Sequence, residues 1–212
     1  MFHILLLHPK KQFIMKKLLL FISIIAFASI SFGQISIKPA LGVNFSTMTD
    51  APSGFDSNMG VSWQIGGSVA IGKKLYVEPG IFWWNMTQQF SSSTAGFGDV
   101  TQSLAGLRIP VFVGYSLLGE DDGSFNLRVF TGPALKLITS ASSDPEGLDT
   151  DDFNSTIFGW NAGAGVSILF LFADLGYEFG LSDVYSSEYA DLIGTNSKYG
   201  ALWLNAGVRF NF

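Results

Sequence analysis

Apolar and polar residues alternate along most of this chain with a period of two. The clearest run is Tyr199 to Phe212: Leu202, Leu204, Ala206, Val208, Phe210 and Phe212 share one phase, and Trp203, Asn205, Gly207, Arg209 and Asn211 share the other. Such alternation over about ten residues predicts a strand with one apolar and one wet face. The run stops on an aromatic residue with another two positions earlier. An aromatic-ended final strand resembles the export signal read by the outer-membrane assembly machinery of Gram-negative bacteria, which makes Phe210 and Phe212 candidate assembly residues.

Seven more alternating segments precede it, at 35–47, 60–71, 75–90, 101–118, 125–140, 156–169 and 171–182. The connections between the eight run long, short, long, short, long, short, long. The short ones are Gly72 to Lys74, Gly119 to Ser124 and a very tight turn near 170. An even number of antiparallel strands with short turns at one end and longer loops at the other predicts an all-β fold, an eight-stranded transmembrane barrel of the outer-membrane type. A β-sandwich gives no reason for such regular loop lengths.

Charge assigns the faces. Lys38, Glu78, Arg108, Arg128, Lys136, Asp174, Glu178 and Arg209 all fall on the polar phase of their strands, and glycines share that phase. A Lys or Arg facing lipid near the midplane costs ~2–4 kcal/mol, so the polar phase is expected to line the lumen. Eight strands enclose only enough room for side chains, and buried charges are tolerable when paired. The eight residues are therefore expected to form a structural charge network that fills the tube. Five of them (Lys38, Glu78, Arg128, Asp174 and Arg209) lie three or four residues from a short-turn end, which predicts one shared layer there, with Glu178 as its extra partner.

Aromatics suggest the orientation. Trp63, Trp83, Trp160 and Trp203 lie near the long-loop ends, and Phe125, Phe172, Phe210, Phe212, Tyr76 and Tyr115 near the short-turn ends. Two aromatic bands are what a bilayer selects. The long loops are expected outside, with both termini in the periplasm.

The amino terminus reads as targeting sequence. Met15-Lys16-Lys17, the apolar run Leu18 to Ile30, and Ser31 and Gly33 before a cut predict a signal peptide over 15–33. Residues 1–14 read as an upstream extension, and 34–212 as the barrel. Removing 1–33 leaves eight basic against seventeen acidic residues, a net charge of −9, and removes both histidines, His3 and His8. A chain this acidic is a poor partner for nucleic acid.

Several stretches carry a resemblance. ALGVNFST (40–47), LRIPVFVGY (107–115), FTGPALKL (130–137), AGAGVSILFLFADLGYEFGLSDV (162–184) and LNAGVRFNF (204–212) resemble the small PorT-like outer membrane protein beta-barrel domain family of Bacteroidota. The resemblance covers essentially all of 35–212 and implies an outer-membrane location. It specifies no activity; one member is tied to a protein-secretion and gliding system.

Function classes narrow accordingly. A hydrolase of the Ser–His or Asp–His type needs an imidazole to move the proton, and the barrel segment has none, so no catalytic residue or cofactor is expected. A structural or interaction protein working through its outer loops leads; a narrow pore or a transport- or secretion-associated component is the alternative. Expected partners are outer-membrane lipid, lipopolysaccharide and the assembly machinery. Asp144, Glu146, Asp149, Asp151 and Asp152 share one loop that could offer oxygens to Ca²⁺. They lack the spacing of a dedicated loop, so no metal site is assigned.

Overall fold

The computed structural model describes residues 34–49, 55–57, 60–92, 100–119, 124–144, 154–183 and 198–212. Both amino-terminal segments and the acidic stretch 145–153 lie outside the described residues.

Eight strands form one closed antiparallel barrel: β1 (Ile35–Thr49), β2 (Gly60–Gly72), β3 (Leu75–Ser92), β4 (Val100–Leu118), β5 (Phe125–Asp144), β6 (Thr156–Ile168), β7 (Leu171–Asp183) and β8 (Lys198–Val208, continued by Phe210–Asn211). Each strand pairs with the next in chain order, and β8 returns to β1 through pairs such as Val43–Leu204 and Ser36–Asn211. Closure satisfies both edges of the sheet, which is what a strand-built membrane span requires. A short segment, Phe55–Ser57, adds to the far end of β3.

The period-two pattern decides which way each side chain points. Leu41, Ile81 and Leu175 are more than half exposed on the outer wall, whereas Lys38 and Arg128 are 1% exposed on the inner one. An apolar outside around a charged inside inverts the arrangement of a soluble protein and suits a lipid environment.

Three of the aromatics expected in the interfacial bands are inside instead. Trp203, Tyr76 and Phe172 are buried, while Trp63, Trp83, Trp160, Tyr115, Phe125, Phe210 and Phe212 face outward. The reason is strand phase: proximity to a strand end sets a residue's height, but the pleat sets its side. Trp160 keeps its indole N–H satisfied at the outer wall by donating to Thr131 Oγ1 at 2.9 Å.

Candidate functional site

All eight charged residues on the polar phase are buried in the lumen. Seven of them form two clusters, and Arg209 reaches the turn between β6 and β7. The lower cluster takes one residue from each odd-numbered strand. Lys38 on β1 places its ammonium 2.8 Å from Glu78 of β3 and 3.3 Å from Asp174 of β7. Arg128 of β5 holds the other oxygen of Asp174. Ser68 donates to Glu78 at 2.5 Å, and Arg128 donates to Ser167 at 2.5 Å. Each carboxylate therefore has a cation plus a further donor or a second cation, the condition under which buried charge is tolerated.

Cross-strand glycines create the space. Gly165 lies between Arg128 and Asp174 in the register of β5, β6 and β7. A Cβ there would come within 1.8 Å of Asp174 Oδ1, so the ion pair spans the strand that carries no side chain.

The upper cluster centres on Glu178 of β7. Arg108 of β4 stands 2.8 Å from one of its oxygens and Lys136 of β5 stands 2.6 Å from the other. Asn161 of β6 accepts from Arg108 at 2.8 Å and from the indole of Trp203 at 2.9 Å. Lys136 also lies 3.7 Å from the centre of the Tyr199 ring. Two cations face one carboxylate, so this cluster carries a net positive charge.

Between the clusters lies a plate of stacked rings. Phe112, Phe130 and Trp203 have centroids 5.1–5.9 Å apart. Phe130 and Trp203 are placed by a row of inward residues that runs Tyr76, Gly114, Phe130, Gly163, Gly176, Trp203 around five strand pairs, and Phe112 stands opposite Glu78 in the register of β3 and β4. Every ring in that row abuts a glycine. Below the plate, among Glu78, Asp174, Phe112 and Trp203, a void of about 10 Å³ remains, the room of a single water.

A filled eight-stranded tube with an apolar outer wall is a membrane barrel, and comparison with known proteins agrees. A family model described as outer membrane protein beta-barrel domain matches residues 27–186, about three quarters of the chain. The chain belongs to the outer membrane protein beta-barrel domain family. Among solved structures it resembles OprG from Pseudomonas aeruginosa, at 14% identity over 84% of this chain and 95% of that one, with a TM-score of 0.53. It also aligns with Ail, the attachment invasion locus protein of Yersinia pestis, at 12% identity over 83% and 99% of the two chains, with a TM-score of 0.47. No curated protein matches the sequence. The first likeness supports the fold, and family membership places the chain in the outer membrane of Gram-negative bacteria.

In this family member the single low layer expected from sequence is not what forms. Lys38, Glu78, Arg128 and Asp174 come together, while the Arg209 side chain reaches the β6–β7 turn. Its Nε donates to the Leu169 carbonyl at 2.8 Å, and its backbone N–H donates to Phe170 at 2.7 Å. Arg209 thereby holds the β6–β7 turn, where Leu169 adopts a φ of 55°. Glu178 belongs to the upper cluster. Four residues of strand separate it from Asp174 by about 13 Å, and the aromatic plate lies at the height between them.

The sequence alone gives Asn161, Trp203, Phe112 and Phe130 no role in this interior network. The available signal was their position on the same phase as the charges, beside or opposite glycines. Phe210 and Phe212 lie outside the lumen on the outer wall. Phe212 closes the seam, exchanging backbone hydrogen bonds of 2.8 and 3.3 Å with Ile35.

Proposed function

We propose that this protein is a closed, non-enzymatic outer-membrane barrel. In this reading its interior is a structural charge network, and its business with the outside is conducted by the long loops. The observation that carries the reading is the occupancy of the lumen: seven charged residues tied in two ion-pair clusters with three stacked rings between them. A chain without histidine in its barrel lacks the usual proton carrier of a hydrolase.

The same reading places the short turns and both termini in the periplasm. It takes 15–33 as a cleaved signal peptide, Phe210 and Phe212 as the signal read by the assembly machinery, and membrane lipid and lipopolysaccharide as surroundings. The motifs quoted for the PorT-like members of Bacteroidota support a place in that group. Planar-bilayer recording of the purified native barrel tests the central point. Silence is the expected result, and stable solute-sized currents would replace this reading with the narrow pore, whose net positive upper cluster would favour anions.

A further inference from the structure

The outer wall carries a feature unrelated to the lumen. A groove of about 530 Å³ runs over β1, β2 and β3, walled by Ile37, Pro39, Val69, Pro79, Ile81 and Phe210. Its floor is Gly67. In the sheet register Gly67 lies between Pro39 on β1 and Ile81 on β3, so the middle of that outward row has no side chain. A Cβ on Gly67 would lie 3.1 Å from the Lys38 carbonyl oxygen and 3.3 Å from Pro39 Cα, so a larger floor residue would force the wall to shift.

The groove opens on the membrane-facing surface, which makes hydrocarbon its natural contact. Directly beneath it, β2 and β3 join at Lys73 and Lys74, both exposed. Lys74 stands 5.7 Å from the Tyr115 ring, which steadies its ammonium at the foot of the wall. The other short connections do not offer this pairing of charge and groove. One reads Gly119-Glu120-Asp121-Asp122-Gly123, and the other exposes Leu169 and Phe170.

We propose that groove and turn together form a site for one anionic phospholipid, its phosphate against Lys73 and Lys74 and one acyl chain laid in the groove. The heights agree. From Lys74 to Pro79 is about 16 Å along the strand, or about 12 Å across the membrane at a tilt near 40°, and half of a lipid-facing band ~25 Å tall is the same depth. Assigning the lipid to the periplasmic leaflet rests on the orientation proposed above; the site itself needs only the membrane span.

Native mass spectrometry of the full barrel, released from vesicles of equal phosphatidylglycerol and phosphatidylcholine, tests it. One retained phosphatidylglycerol per barrel is expected, favoured over phosphatidylcholine by roughly ten-fold or more. Lys73→Gln and Lys74→Gln should each cut that preference about five-fold. Val69→Trp, which fills the groove from its rim, should abolish retention of both lipids while the barrel still shows heat-shifted migration on a gel. Retention without headgroup preference, or retention unchanged in the lysine variants, would overturn the proposal. Because the turn lysines are exposed, those two variants decide the matter even where Val69→Trp fails to assemble. A conducting barrel would refute the plugged lumen and leave this result untouched.

Discussion

Gly176 lies directly opposite Trp203 across the β7–β8 pair, and a Cβ built on it would come within 2.4 Å of the indole ring. The glycine is a recess for the ring, and the aromatic plate depends on it. Gly176→Ala should therefore overpack the lumen, at about 1–3 kcal/mol. The urea midpoint of the folded barrel in lipid vesicles measures this. Adding Trp203→Phe, which removes the indole's outer edge, should recover part of the loss, because residues in contact do not behave additively. Additive losses in the double variant would show that the recess is not what Gly176 provides.

The two charge clusters differ in redundancy. Glu178 is the carboxylate that both Arg108 and Lys136 face, whereas Lys38 keeps Asp174 at 3.3 Å when Glu78 is removed. Glu178→Ala should destabilise the barrel by ~3–5 kcal/mol, the cost of stranding buried charge. Glu78→Ala should cost clearly less. Paired urea unfolding curves give the order, and an equal or reversed order would mean that water or other groups compensate the upper cluster.

Leu169 holds a left-handed backbone at a turn where most residues would be strained. Its carbonyl is fixed by Arg209 and its N–H by the Ser124 carbonyl at 2.7 Å. Leu169→Gly should relieve that strain and leave stability unchanged or up to ~1 kcal/mol higher. Arg209→Ala should loosen the β6–β7 hairpin. Hydrogen exchange at 168–171 reads both, with faster exchange expected only for the arginine variant.

How much of this was legible before the structure follows from what a period of two can encode. Alternation fixes which face a residue takes, and it gave eight strands, their order and the inward phase of residues such as Arg108 and Asp174. It does not encode register. Whether Glu178 meets Lys38 or Arg108 depends on how strands slide against one another, and that offset is set by pairings such as Gly163–Gly176 that no single strand reveals. Trp203, Tyr76 and Phe172 lie near strand ends, which is all that a place in the interfacial bands requires of height, but their phase turns them inward, and Trp203 alternates with Asn205 and Arg209. The glycines carried the missing information. Gly114, Gly163 and Gly176 mark where neighbouring rings enter, but only after the strands are aligned.

The seam between β1 and the end of β8 is where assembly must finish. Phe212 exchanges backbone hydrogen bonds with Ile35, its ring faces outward, and Asn211 beside it accepts a hydrogen bond from Ser36 Oγ at 2.7 Å. If Phe212 is the residue that the assembly machinery reads, Phe212→Asp should reduce the fraction of heat-modifiable barrel in outer-membrane preparations more than Asn211→Asp does. Both changes add one negative charge within the same pair of residues, so seam repulsion alone predicts similar losses. Refolding of the purified variants into vesicles, without the machinery, separates the two causes. Recognition by the machinery predicts a Phe212 defect that is large in cells and small in vitro. A defect equally large in both settings would place the role of Phe212 in seam packing, and similar behaviour of the two variants in cells would remove it from the signal.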